Sequence, residues 1–198
     1  MREYSLQILY RLDPNPRKAS SKADELKYWI DQLENRMVRQ CTPVSGWEMK
    51  SCYYHGYENY TDLDNWHPVS LGEHWGGDDV TGFFRASAIM PEVLEDAQVF
   101  LNLSFGGEAL LSINGVPHQG IDFDRKYANL DRYFASGEKL ELLVEASVRN
   151  APYDYFRDDI RVHHVFEAAE ILQIDRTVED LYYYCWVIYD VIKASQEP

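Results

Sequence analysis

Cysteine is scarce in this 198-residue chain, and the three present, Cys41, Cys52 and Cys185, are scattered. That excludes a disulfide scaffold and a cysteine-based zinc site, and the odd count fits a reducing compartment. Basic charge is also short. Nineteen Lys and Arg stand against 33 Asp and Glu, a net charge of −14, which repels phosphate backbones and anionic headgroups and excludes nucleic acid and membrane surfaces as partners. No stretch approaches the roughly 20 apolar residues of a membrane span. The start, Met1 to Ile8, lacks the apolar run of a signal peptide, so the expected location is cytoplasmic. There is no phosphate-cradling glycine loop, no G-x-S-x-G elbow, no activated-cysteine pattern and no His-x-x-x-His pair.

Aromatic residues, by contrast, are plentiful: 15 Tyr, 8 Phe and 5 Trp. Rings with one polar end suit a broad amphipathic surface, either a sugar-contacting face or a large protein interface. With 45% apolar and 26% charged residues, the chain is globular and long enough to bury a core without staples.

The chain then divides by periodicity. Asp13-Pro14-Asn15-Pro16 reads as a turn, and Ser21 with Asp24 three residues on marks a capped helix whose stripe is Leu26, Trp29, Ile30, Leu33 and Met37. A short strand is expected from Trp47 to Tyr53, followed by a long irregular loop to Trp75. Alternation predicts strands at Val80–Ile89, at Ala97–Phe105, at Ala109–Ile113 and at Leu140–Val148. Gly106-Gly107 reads as a tight turn pairing the second and third of these, and Asn114-Gly115 as a hairpin. Helical spacing is read at Val162, Val165, Phe166, Ala169 and Leu172, and again after the caps Asp175 and Thr177. In that last helix Val178, Leu181, Cys185, Ile188 and Ile192 form one apolar stripe, and Tyr182, Trp186 and Tyr189 a second. A helix with two apolar faces needs two partners.

Alternating strands between glycine turns predict a mainly β fold, an antiparallel jelly-roll β-sandwich with an N-terminal and C-terminal α-helices. The expected organisation is an extension and helix over 1–45, a sandwich over 46–156 and C-terminal helices over 157–198.

Four aromatics in the irregular region, Tyr57, Tyr60, Trp66 and Trp75, are candidates to stack on a sugar ring. For Trp75, beside Gly76-Gly77 and before a strand, plugging the sandwich edge is the competing reading. His163-His164, read as helical, would project about 100° apart and converge poorly on a metal. His55, His67, His74 and His118 lack a paired-ligand motif. Asp78-Asp79 and Asp122-x-Asp124 could offer carboxylates to calcium, but two per cluster suits a turn better. Glycoside hydrolysis needs two carboxyls about 5 to 10 Å apart, and no spacing among the acids singles out a pair.

From Trp75 through Arg85 to Ile89-Met90-Pro91, the sequence resembles the N-terminal domain of family 38 α-mannosidases. Gly106-Gly107-Glu108-Ala109, the Asn114-Gly115 hairpin, Gly120-Ile121-Asp122 and the segment Ile174 to Tyr183 follow in that family's order. The resemblance covers roughly Trp66 to Ile192. It implies a galactose-binding-like sandwich that precedes a zinc-dependent catalytic domain cleaving α-mannosides. The family's zinc ligands and nucleophile belong to that catalytic domain, so none maps onto this chain, and no cofactor is expected in this segment. By the same resemblance, Asp122, Asp124 and Arg125 would face the catalytic domain, and Trp186 on the last helix is a further inter-domain candidate.

The expectation is therefore a noncatalytic accessory domain whose partner is the catalytic domain of the same polypeptide. Two alternatives stand beside it: a stand-alone module binding mannosides or other neutral glycans, and an interaction domain that builds a homo-oligomer.

Overall fold

The computed structural model describes residues 21–77, 79–122, 124–147 and 163–196. The expected strand end at Val148, the turn at 13–16, Asp78 and Val162 lie outside the described residues. In chain order the elements are α1 (Lys22–Met37), β1 (Val38–Pro43), β2 (Glu48–Gly56), β3 (Asn59–Asp62), β4 (His67–Pro68), β5 (His74–Gly76), β6 (Val80–Ile89), β7 (Ala97–Ser104), β8 (Glu108–Ile113), β9 (Val116–Ile121), β10 (Tyr127–Asn129), β11 (Lys139–Ser147), β12 (His163–Val165), β13 (Ala168–Asp175) and α2 (Arg176–Gln196). The fold is mainly β, a jelly-roll sandwich of antiparallel sheets with a helix at each end. It forms two compact units, one of residues 41–94 and 98–172, the other carrying both helices with residues 95–97.

The sandwich has one sheet in the order β1-β13-β7-β10 and another in the order β3-β2-β6-β11-β8-β9, with β4 beside β2; β5 and β12 form a separate pair. Alternation decides which side chains meet. Met49, Phe84, Val144 and Leu111 are cross-strand neighbours along one row and point inward. From the other sheet Val99, Leu101 and Leu103 face them, all fully buried. Rings close the centre: Phe105 and Phe166 stack at 5.0 Å, Phe84 lies 4.6 Å from Phe105, and Trp47 meets Phe166 edge-on at 5.5 Å. The Trp47 indole donates to the Val44 carbonyl at 3.1 Å, so its burial leaves no unmet donor.

Three glycines set this packing. Gly106-Gly107 does not pair β7 with β8, as the turn reading expected. It carries the chain from one sheet to the other, because both strands present an apolar face and a sandwich buries two such faces by opposing them. A Cβ on Gly107 would lie 2.6 Å from the Ser147 carbonyl, and Gly106 has φ +76°, so the crossing is a glycine site. At Gly82 on β6 a Cβ would stand 2.8 Å from Trp75 Cε3, so the bare backbone there is where the indole rests. The Asn114-Gly115 hairpin forms as expected between β8 and β9, with φ of 52° and 77°.

Two further expectations change. The strand expected from Trp47 to Tyr53 forms as β2 and runs on to Gly56, and part of the stretch expected as an irregular loop after it is also strand, since β2 and β3 form a hairpin turning at Tyr57-Glu58. Its outward face carries tyrosines and charges together, which hides period two. The segment read as helical from Val162 to Leu172 forms, in its described part, β12 and most of β13. In β13 the inward Ala169, Ile171 and Gln173 are buried, and so are Leu172 and Ile174 on the opposite face. A strand buried on both faces has no polar alternation, and its apolar run mimics helical spacing.

In the helical unit, Ser21 caps α1 by accepting from the Asp24 amide at 3.1 Å. Asp175 does the same for α2 through the Val178 amide at 3.0 Å. Helices α1 and α2 pack on each other. Lys27 reaches over the Trp186 ring at 4.9 Å, and Tyr189 meets that ring edge-on at 5.4 Å.

Candidate functional site

The outward face of the larger sheet brings polar and aromatic side chains into rows. Register places Glu48, Arg85, Leu143 and Ser112 in one row, Lys50, Phe83, Glu145 and Leu110 in the next, and Cys52, Thr81 and Ser147 in the third. In the first row Arg85 Nε and Nη2 both donate to Glu48 Oε2, at 2.8 and 2.7 Å. The same guanidinium lies 4.1 Å from the centre of the Trp66 ring, and Lys50 Nζ approaches it at 5.6 Å. One face of Trp66 is thus already occupied by cations.

In the second row the Tyr60 hydroxyl donates to Glu145 Oε1, while its ring sits edge-on to Phe83 at 5.0 Å and 5.5 Å from Tyr54. Burial, reinforced by the Glu145 carboxylate, pushes the Tyr60 phenol well above its usual range, so it remains a donor. Lys50 binds Asp62 at 2.8 Å and holds that carboxyl below the usual carboxylate range. Cys52 donates to the same Asp62 at 3.1 Å, and burial, with that bond, pushes its thiol up to about 11.

Past the third row, where β2 and β11 end and β6 begins, the face opens into a groove of about 390 Å³ lined by Tyr53, Tyr54, His55, Asp79, Val80, Thr81 and Ser147. Tyr53 and Tyr54 are 42% and 53% exposed, whereas Thr81 is buried at the floor. His55 is turned by a 2.9 Å hydrogen bond between Nε2 and Thr61 Oγ1.

The sequence candidates fall in different places. Tyr60 and Trp66 lie on this face, and Tyr57 stands at the β2–β3 tip, 87% exposed. Trp75 does not belong with them. It is 4% exposed, donates to the Phe105 carbonyl at 2.8 Å and packs edge-on against Phe84 at 5.3 Å, so it plugs the core and cannot stack on a sugar. Tyr53, Tyr54, His55 and Thr81 were not singled out by sequence. The signal available was the Cys52-Tyr53-Tyr54-His55 run at a strand end, legible only once β2 was recognised as extending to Gly56.

Asp122 closes its own turn. Its Oδ1 accepts from the Asp124 and Arg125 amides at 2.9 and 2.8 Å, and its Oδ2 accepts from Arg125 Nε and Nη2 at 3.0 and 2.6 Å. The Arg125 guanidinium holds the Asp122 carboxyl below its usual range. Among the described residues no three His, Cys, Asp or Glu are grouped to hold a metal ion. His164 sits on β12, not on a helix, with its ring 5.5 Å from Trp75.

On α2, Trp186 is half-buried against α1 together with Tyr182 and Tyr189. The opposite face is exposed: Leu181, Tyr184, Val187, Ile188 and Val191 are each between 48% and 66% accessible. Among the described residues no helix is long and apolar enough to cross a membrane.

The comparison with curated proteins returns no match. Among solved structures, a chain assigned as a β-galactosidase from Bacteroides fragilis aligns over 70% of this chain and 23% of its own length, at 17% identity and a TM-score of 0.43. A β-D-glucuronidase from Dictyoglomus thermophilum aligns over 70% of this chain and 28% of its own, at 11% identity and a TM-score of 0.39. This chain thus spans about a quarter of the length of either. The family pattern described as alpha-mannosidase, jelly roll domain, matches residues 42–155, more than half of the chain and most of the described sandwich, and the chain belongs to that family.

Proposed function

We propose that this chain is a noncatalytic accessory domain that supports and orients the catalytic domain of an α-mannosidase-type glycoside hydrolase in carbohydrate degradation. The observation that carries the reading is the family match over residues 42–155. The sandwich supplies a rigid body with its core closed by rings. Helix α2 supplies the contact surface, because one apolar face is spent on α1 and the other, from Leu181 to Val191, has no charge between Asp180 and Asp190 and is exposed. Such a strip gains free energy when covered, and a domain of the same polypeptide is held near it at high effective concentration. Zinc belongs to the partner domain in this reading, and the domain pair acts in the cytoplasm.

Reading the coding sequence past Pro198 tests the first half. A zinc-dependent α-mannosidase domain is expected there, and a stop codon with no such domain would remove the proposal. Within the two-domain protein, Ile188→Asp together with Val191→Asp should lower the melting temperature of the catalytic domain or its mannosidase activity. Unchanged values for both would show that α2 does not dock it.

A further inference from the structure

We infer that the groove at the end of the larger sheet is a binding site for a single neutral sugar ring. Its volume, about 390 Å³, lies at the small end of the range of small-molecule sites. What lines it selects the ligand. Tyr54, on the outward face, offers an exposed ring, which suits the C–H face of a pyranose, while Tyr53, opposite Val80 in the inward register, bounds the groove at the end of the sheet. Tyr54 is held in place from behind, because its ring rests on Tyr60, whose hydroxyl is fixed on Glu145. Thr81 and Ser147 are directly opposite each other on paired strands, and His55 and Asp79 complete the rim.

This mixture of ring faces with donors and acceptors matches a molecule that is apolar on one face and ringed by hydroxyls. Other ligand classes fit poorly. Among the described residues no Lys or Arg lines the groove, and the chain carries a net charge of −14, which disfavours phosphorylated or carboxylated ligands. The polar floor disfavours a purely apolar one. Trp66, one of the four stacking candidates read from the sequence, carries Arg85 on its ring, and the groove lies two rows away.

The inference goes beyond the docking proposal and is tested on this chain alone, so the failure of either leaves the other standing. Methyl α-D-mannopyranoside, methyl α-D-glucopyranoside and methyl β-D-galactopyranoside are titrated into the isotopically labelled 198-residue chain, with amide shifts followed by NMR. Saturable binding in the millimolar range is expected for at least one glycoside, with shifts concentrated at Tyr53, Tyr54, His55, Thr81 and Ser147. Tyr54→Ala and Thr81→Val should each weaken it about tenfold, the factor that corresponds to losing one ring contact or one hydrogen bond. Thr81→Val keeps the shape of a buried side chain, so it answers the question if Tyr54→Ala disturbs the sheet. No saturation with any of the three glycosides, shifts centred elsewhere, or binding that Thr81→Val leaves intact would overturn the inference.

Discussion

Replacing Gly82 by Ala tests the packing of the sandwich at its tightest point. The new methyl would stand 2.8 Å from Trp75 Cε3 and 2.9 Å from Phe84 Cε2, closer than carbon atoms approach, and both rings belong to the close-packed centre. Overpacking of this kind costs about 1–3 kcal/mol. The backbone at Gly82 is ordinary strand, so alanine recovers about 0.4–1 kcal/mol by restricting the unfolded chain. A net loss of about 0–2.6 kcal/mol follows from these two effects. For a chain of this length that corresponds to a fall of up to roughly 10 °C in melting temperature. Trp75→Phe provides the control. It loses the indole hydrogen bond to Phe105 and destabilises in its own right, but it removes the atoms that a Cβ at Gly82 would strike first. Urea unfolding of the two single variants and the double variant, followed by circular dichroism, should show Gly82→Ala costing about 1 kcal/mol less in the Trp75→Phe background. Additive losses, or a stabilising Gly82→Ala, would refute the placement of the indole over β6.

Three other outcomes are expected. Partial burial of the sulfur, with a 3.1 Å hydrogen bond to Glu170, pushes the Cys41 thiol up to about 12. Iodoacetamide at pH 8 should therefore label Cys41 at least about a hundredfold more slowly in the folded chain than in urea, and Glu170→Gln should speed the reaction; equal folded and unfolded rates would contradict the assignment. Asp62, Asp122 and Glu141 are all held below the usual carboxylate range by Lys50, Arg125 and Lys139 respectively. Their contribution is thus complete above the unfolded-state values near pH 4 and is lost as pH falls through the lower folded values. Melting temperatures should decline below about pH 4, and a flat profile down to pH 2 would exclude this linkage. Finally, Ile188→Asp should change the melting temperature of the 198-residue chain by under about 2 °C because the side chain is already half in water; a large drop would mean that this face is buried in the isolated chain.

Much of the sandwich was legible because its strands are buried on one face only. Val80–Ile89, Ala97–Ser104, Glu108–Ile113 and Lys139–Ser147 all alternate, and each forms where alternation places it. The two helix caps, at Ser21 and Asp175, were legible for a local reason, since capping joins residues three apart. Legibility failed where the period was hidden. In β13 both faces are buried, and in β2 and β3 aromatic and charged residues share the outward face. The site followed the same rule. Tyr57, Tyr60 and Trp66 could be picked as surface aromatics, but a single row of sequence does not tell which ring is buried or which is already occupied.

The sequence by itself determined the strand alternation, the caps, the Asn114-Gly115 turn and the order of motifs that marks the family. These depend on neighbours a few residues apart or on a pattern carried along the chain. Only tertiary structure decided that β7 and β8 lie in opposite sheets, that Trp75 fills the core, and that Arg85 covers Trp66. It also brought the ends of β2 and β11 and the start of β6 together around Thr81. Each of these is a contact between segments tens of residues apart, fixed by which apolar faces bury one another, and a linear pattern of residues does not encode which pairing wins.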